Sequence, residues 1–237
     1  MSDVIVCLPT YNERENLEAM VRALVPHGYR ILVIDDSSPD GTGEIADRLA
    51  AELDLVSVLH RSEKQGLGPA CIAGFERALA DGGEIVVEMD SDFSHDPADV
   101  PRLVAAIENG ADCAFGSRYV KGGGTTNWGL GRRVLSRGAS TYGRTILGVK
   151  LRDVTAGFSC YRRNVLEALD LASIHSQGYV FQIEMKYRAL RKGFEVAEVP
   201  IVFADRTAGY SKMTRAIILE AVWKVPLLRV AAVKGEL

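Results

Sequence analysis

Three polar clusters each follow a short apolar run: Pro9-Thr10-Tyr11-Asn12-Glu13, Asp35-Asp36-Ser37-Ser38-Pro39-Asp40-Gly41-Thr42 and Asp90-Ser91-Asp92. The third carries the most chemistry. It comes off the run Ile85–Met89, and strand alternation would put residues 90 and 92 on one side, two carboxylates facing one point. Such a pair repels unless one member keeps its proton. A divalent cation that prefers oxygen, Mg²⁺ or Mn²⁺, removes the conflict and bridges to phosphate oxygens. The other reading is a strand-end turn with solvated carboxylates, and the tripeptide alone does not choose between them. Ser94, His95 and Asp96 are close enough in sequence to complete or support a metal's shell. Asp35 or Asp36 could accept from a base N–H or a ribose hydroxyl, as acidic strand-end residues do in nucleotide folds. Asp40 is also a candidate helix cap, and Tyr11 could pack against a base.

The opposite charge is concentrated elsewhere. From Arg118 to Arg152 there are eight basic residues and no acid, while the remaining 20 basic and 31 acidic residues leave −11. A block of +8 in an otherwise acidic chain calls for an anionic partner or a solvated face. Tyr119, Trp128 and Tyr142 are the aromatics interleaved with it, and no nucleic-acid recognition motif accompanies them. A nucleic-acid-binding module is therefore disfavoured.

Elements of alternating type must position these clusters. Val4–Leu8, Arg30–Ile34, Leu55–Leu59, Glu84–Met89 and Asp112–Phe115 read as strands. Glu13–Val25, a segment from Asp40 to Leu53, one ending at Leu79 and one after Pro97 read as helices. This order implies an α/β fold with a mainly parallel central sheet and helices on both faces. Ligands of such sheets bind beyond the carboxyl ends of the strands, where all three clusters fall. After Arg118 the pattern changes. Lys121–Gly131 is glycine-rich and predicts a mobile loop, and Arg132–Val149 a helix. Val154–Tyr161 predicts a strand around Gly157, Val180–Arg191 a helix and Glu195–Phe203 a strand. The tail from Met213 to Val233 should be two helical segments kinked at Pro226.

A chain of 237 residues with 47% hydrophobic and 25% charged residues can bury one sizeable core. Its four cysteines, Cys7, Cys71, Cys113 and Cys160, form no CxxC pair, which argues against a zinc site and suits a reducing cytoplasm. The N-terminal residues lack the basic and long apolar regions of a signal peptide. No run reaches the roughly 18 apolar residues of a membrane span, so any membrane role is expected to be peripheral. Gly66-Leu67-Gly68 lacks the third glycine of a dinucleotide fingerprint, so a Rossmann oxidoreductase fits poorly.

Taken in order and spacing, Pro9–Glu13, Asp35–Thr42, Gly66–Gly68, Asp90–Asp92 and Gly116–Tyr119 resemble the family 2 inverting glycosyltransferases of the Rossmann-like GT-A fold. Met89–His95, Gly116–Gly124, Asn127-Trp128 before Arg132-Arg133, Gly178–Glu184 and Val199–Lys212 are similar to dolichol- or polyprenol-phosphate mannose synthases within it. The resemblance implies a catalytic domain over residues 1–212 followed by an amphipathic, non-transmembrane tail at 213–237. It implies transfer of mannose from GDP-mannose to a polyprenyl or dolichyl monophosphate, with Mg²⁺ or Mn²⁺ as cofactor. Asp90, Asp92 and Ser94 would be the metal-side residues. Pro9, Tyr11, Glu13, Val33, Asp35, Asp36, Gly68, Ala70, Ser91, Arg206 and Lys212 would join the two aspartates in holding the nucleotide-sugar. Arg118, Arg132 and Ser136 would grip the acceptor phosphate, and Asp90, Asp92, Arg118 and Arg132 would form the catalytic set. Two departures from the family pattern stand out: Ser91 where Ala is common, and Ser94 where some members have a Gln metal ligand.

The same resemblance implies residence on the cytoplasmic face of a membrane, and it allows a membrane-bound partner subunit. The tail mixes Ile217, Ile218, Val222, Trp223, Leu227 and Leu228 with Lys212, Arg215, Lys224 and Arg229. Such a helix suits either an anionic membrane surface or packing on the domain. Two alternatives remain at this level. One is the same fold with UDP-glucose or UDP-N-acetylglucosamine as donor. The other is a non-catalytic nucleotide-sugar-binding subunit, against which the intact acid and arginine sets speak.

Overall fold

The computed structural model describes residues 3–205, 215–235 and 237; within this range the side chains of 215–220 are left aside. The first half alternates strand and helix: β1 (Val4–Thr10), α1 (Leu17–Leu24), β2 (Arg30–Asp35), α2 (Thr42–Glu52), β3 (Val56–His60), α3 (Leu67–Ala80), β4 (Ile85–Glu88), α4 (Val100–Glu108) and β5 (Cys113–Ser117). The second half holds β6 (Gly124–Thr125), α5 (Leu130–Leu147), β7 (Ser159–Arg162), α6 (Arg163–Ala168), α7 (Gly178–Arg191), β8 (Val196–Pro200), β9 (Val202–Phe203) and α8 (Arg215–Lys234).

Seven strands form one sheet in the order β3-β2-β1-β4-β7-β5-β8, parallel except for β7, which runs antiparallel to β4 and β5. The pleat sorts side chains to two cores. Ile5, Cys7, Leu32, Ile34 and Val86 face the layer of α3, α6, α7 and α8, whereas Val4, Val6, Leu8, Ile31, Val33, Ile85 and Val87 face α1, α2 and α4. Each fully buried aliphatic side chain stabilises the fold by about 1.5–3 kcal/mol. The chain moves from β1 to β2 to β3 on one side and then returns to place β4 on the other side of β1. That reversal opens a crevice at the carboxyl ends of β1 and β4. Pro9–Glu13 and Asp90–Asp92 are the residues that follow those two ends.

Several boundaries differ from expectation, each for a local reason. The first helix starts at Leu17, because the Glu13 carbonyl accepts from the amides of Asn16 and Leu17 and holds 13–16 as a turn. The cap of α2 is Gly41, left-handed at φ 91°. Asp40 still caps from one residue earlier, its Oδ1 accepting from the Thr42 amide at 3.0 Å. The strand expected from Val154 begins only at Ser159. The amides of Arg152 and Asp153 donate instead to the Glu198 carboxylate, and that of Thr155 to Asp153, so side chains replace a ladder there. The last expected strand is two, β8 in the main sheet and β9 paired with β6.

The glycine-rich loop is anchored rather than loose. A Cβ at Gly123 would stand 2.4 Å from the Ser117 carbonyl oxygen, so only glycine allows this approach, and Trp128 is buried. The tail is one helix running through Pro226 instead of two kinked segments. Proline has no amide to offer the carbonyl four residues back. Here that carbonyl, Val222 O, accepts from the Tyr142 hydroxyl of α5 at 2.8 Å. Val225 and Ala232 are buried, and Arg229 donates to Leu147 O and to the Tyr187 hydroxyl, so α8 packs on α5 and α7.

Candidate active site

β4 ends at Glu88, so strand alternation does not orient the aspartates as expected; a turn does. Phe93 has φ 61°, a left-handed conformation that costs a non-glycine residue energy and recurs at functional loops. The turn leaves the Asp90 side chain 38% exposed while Asp92 is buried. Asp92 Oδ1 accepts from the Ser94 amide at 3.0 Å, and Ser94 O accepts from Ala204, tying the turn to the segment after β9. His95 braces it from below. Its Nδ1 accepts from the Asp90 amide at 3.1 Å and lies 3.9 Å from Asp90 Oδ2, and its ring is stacked on Phe158 with Phe203 at its edge. Burial pushes the imidazole down to about 3, with the Asp92 charge opposing, so the ring is neutral at physiological pH. Ser91 and Ser94 are both buried in the turn.

Among the described residues, no three His, Cys, Asp or Glu side chains group to hold a metal ion. Two carboxylates on one short turn are nevertheless the type of donor by which Mg²⁺ and its like are held together with substrate phosphates. The residues therefore fit a cation that arrives with an anionic ligand, with Asp90 and Asp92 as its protein donors.

The nucleoside side of the crevice divides. Asp35 Oδ1 is buried and has no hydrogen-bond partner among the described residues, an acceptor suited to a ligand N–H or hydroxyl. Asp36 is engaged otherwise, accepting from Arg61 and from the amides of Gln65 and Gly66. It shapes the 61–66 loop. Tyr11 lies at the crevice with Lys64 Nζ 3.7 Å from its ring centre. Pro9 is half-buried beside it, and Glu13 holds the 13–16 turn through Asn16 Nδ2. Three expected lining residues belong to the core instead. Val33 and Ala70 sit in the two apolar clusters, and a Cβ on Gly68 would meet Ser176 O at 2.4 Å, so its small size serves packing against the start of α7.

The basic side is already paired. Arg118 is buried, with Nε and Nη2 on the two oxygens of Asp153 at 2.7 and 2.8 Å and Nη2 also on Thr155 Oγ1. Its guanidinium lies among the rings of Tyr119, Trp128 and Phe203. Burial alone would raise the Asp153 carboxyl, but the Arg118 charge and hydrogen bonds hold it below the ordinary range. Arg118 is thus not an open phosphate clamp: two of its nitrogens are fixed on an acid that the sequence reading did not single out. Asp153 is the first acid after the basic block, which is the signal that would have marked it. Arg132 reaches Asp205 at 2.7 Å and stacks 4.1 Å from the Trp128 ring centre. Ser136 accepts from the Tyr119 hydroxyl. A cavity of about 240 Å³ opens alongside, lined by Arg118, Tyr119, Gly123, Thr125, Arg133 and Arg137. Arg206 and Lys212 lie outside the described residues.

The mainly parallel sheet thus carries acids at its switch point and a basic wall beyond. The chain belongs to glycosyl transferase family 2, whose model matches residues 5–170. It is 52% identical over 225 residues to the polyprenol monophosphomannose synthase of Mycolicibacterium smegmatis, covering 93% of this chain and 84% of that one. It is 47% identical over 232 residues to the undecaprenyl-phosphate mannosyltransferase of Micrococcus luteus, covering 97% and 95%. In fold it is similar to a mannosyltransferase from Pyrobaculum calidifontis solved with GDP-Man and Mn²⁺, with a TM-score of 0.60 at 16% identity over 98% of this chain and 74% of that one.

Proposed function

We propose that this glycosyltransferase moves mannose from GDP-mannose to a polyprenyl or dolichyl monophosphate, with inversion at the anomeric carbon. The observation that carries the reading is the division of charge within one crevice, acids at the ends of β1, β2 and β4 and arginines across from them. The printed activities of the 52% and 47% identical relatives support it. The acceptor is a phosphate monoester, anionic near neutral pH, so its oxygen attacks the anomeric carbon without a strong general base. The bond from that carbon to the diphosphate oxygen breaks, and GDP leaves with the electron pair. What the protein must supply is alignment and charge neutralisation.

Asp90 and Asp92 would hold Mg²⁺ or Mn²⁺, which neutralises the departing diphosphate when bound. Asp35 and Tyr11 take the nucleoside. Arg132 exchanges Asp205 for the acceptor phosphate, for which a planar guanidinium is suited, and Ser136 supports it. Arg118, fixed by Asp153, contributes its charge to the same wall. Arg206 and Lys212 belong to the donor side in this reading.

The acceptor's lipid chain places the enzyme at a membrane surface. Among the described residues no helix is long and apolar enough to cross a membrane. Leu130, Val134 and Leu135 of α5 are exposed, as are Trp223, Leu227 and Val233 of α8, which packs against it. Arg133, Arg137 and Lys224 accompany them. Apolar side chains with basic neighbours suit peripheral contact with an anionic leaflet on the cytoplasmic face, with or without a membrane partner subunit.

A screen of radiolabelled GDP- and UDP-sugars against polyprenyl phosphate, with Mn²⁺, Mg²⁺ or chelator, tests the reading. Label should pass into the lipid phase from GDP-mannose and only with metal. Transfer from UDP-glucose or UDP-N-acetylglucosamine alone would move the donor assignment to those sugars. Full transfer in chelator would remove the metal.

A further inference from the structure

Behind Asp90 lies a buried polar group that none of the roles above uses. Glu88, the last residue of β4, is buried and accepts from the amide Nε2 of Gln182 on α7 at 2.5 Å and from Cys71 Sγ on α3 at 3.1 Å. Gln182 is 2% exposed. Buried polar atoms are nearly always hydrogen-bonded, to protein or to ordered water. Here Glu88 Oε2, Gln182 Oε1 and His95 Nε2 are all buried with no protein partner among the described residues. The His95 atom is a donor, because Nδ1 accepts from the Asp90 amide and so leaves the ring proton on Nε2. One donor and two acceptors in a single neighbourhood need a molecule that can do both.

Gly157 marks the place. Its φ lies outside the left-handed region, so its backbone asks for no glycine. A carbon built at its Cβ position would sit 3.7 Å from Gln182 Nε2, 3.7 Å from His95 Cε1 and 3.9 Å from Asp90 Oδ1. These are ordinary contact distances, so the glycine leaves a recess of about one atom's width with Asp90, the His95 ring and the Gln182 amide as three of its walls. A water is stable in such a site when two to four polar groups surround it.

We propose that this recess holds an ordered water that ties the Asp90 carboxylate to the Gln182–Glu88 pair, making Gln182 a positioning residue for Asp90. The water accepts from His95 Nε2–H and donates to Asp90 Oδ1 and to Gln182 Oε1. Asp90, the more exposed of the two aspartates, is thereby held at Oδ1 while Oδ2 lies 3.9 Å from His95 Nδ1. The inference rests on the reading of Asp90 as a donor-side residue.

Gly157→Ala places a methyl where the water would be and tests this in two ways. Binding of GDP-mannose with Mn²⁺, measured by calorimetry, should weaken about tenfold, the effect of losing one water-mediated bond to a charged group. The melting temperature should fall by a few degrees, since His95 Nε2 and Gln182 Oε1 lose their partner, while the KM for the acceptor stays at the wild-type value. Gln182→Leu should weaken donor binding similarly, and Gln182→Glu, which keeps an oxygen toward the water, should recover part of it. A crystal structure of the unaltered protein decides the matter independently of any variant's folding. The proposal expects a water within hydrogen-bond distance of Asp90 and Gln182. A dry recess, or wild-type donor affinity in Gly157→Ala, overturns it. If the unaltered protein fails to bind GDP-mannose at all, the functional reading fails, and the crystallographic water still stands or falls alone.

Discussion

The acidic and basic sides of the crevice are built by opposite means. On the acidic side, carboxylates accept from backbone amides: Asp92 from Ser94, Asp40 from Thr42, and Asp36 from Gln65 and Gly66 beside its ion pair with Arg61. An amide neutralises part of the Asp92 charge without the full charge of a guanidinium, which suits the metal-side role proposed for it. On the basic side, guanidinium groups are held by acids and aromatic faces: Arg118 by Asp153 and three rings, Arg132 by Asp205 and Trp128. The two arginine pairs differ in turn. Arg118–Asp153 is buried, with side chains 4% and 0% exposed, whereas Arg132–Asp205 is 33% and 42% exposed. A buried pair is costly to break, and an exposed one is worth at most about 1 kcal/mol and exchanges readily. The wall thus has a fixed charge and an exchangeable one.

The sharpest way to break this contrast is at Asp92. Asp92→Ala should lower metal-dependent turnover by about 10³-fold, as removal of a main electrostatic element does, while the fold survives. Steady-state transfer and circular dichroism check both halves. Full activity of the variant in chelator would sink the acidic side's role.

Asp153→Asn addresses the fixed pair. It leaves the Arg118 charge buried without its counter-ion and should destabilise the protein by about 3 kcal/mol in denaturant unfolding at neutral pH. The folded Asp153 carboxyl titrates below its ordinary value of 3.8. The wild type's advantage is therefore complete once the pH is well above that value, and is lost as pH falls through the lower folded one. Equal stability of the two proteins at neutral pH would show that the pair does not hold the wall.

Arg132→Ala should be smaller and more selective. The KM for the acceptor should rise about tenfold, the worth of one charged hydrogen bond, with donor KM and stability nearly unchanged. Equal effects on both substrates would remove the distinction between the two sides. The smallest effect belongs to the outer helices: Trp223→Ser should reduce co-sedimentation with anionic liposomes about threefold and leave transfer to a short, soluble acceptor intact. Unchanged sedimentation would take α8 out of the membrane contact.

Much of the parallel half was legible in the sequence because its determinants are local. Apolar runs ending in acid clusters located β1, β2 and β4, and their ends do meet at the switch point. The antiparallel β7 was placed too early because the amides of 152–155 are taken by Glu198 and Asp153, one 45 or 46 residues away. Proline at 226 pointed to two helical segments, whereas one helix continues through it, the freed Val222 carbonyl being taken by Tyr142, 80 residues before Val222 in sequence. Asp90 and Asp92 stood out by their spacing, but strand alternation does not orient them, and which carboxylate is the more exposed depends on the turn at Phe93. Asp36, Val33, Gly68 and Ala70 were expected along the ligand, and here they take part in loop bracing or packing, contacts that no local pattern carries. Residue type names a candidate, and the third dimension decides which neighbour takes it first.

The division of labour itself is tested most directly by calorimetric titration of GDP-mannose into the wild type and Arg132→Ala, each with and without Mn²⁺. Acids with a metal on the donor and arginines on the acceptor require that binding strengthen at least about tenfold with Mn²⁺ and be the same in both proteins. Donor binding that ignores the metal, or that is lost in Arg132→Ala, would contradict it.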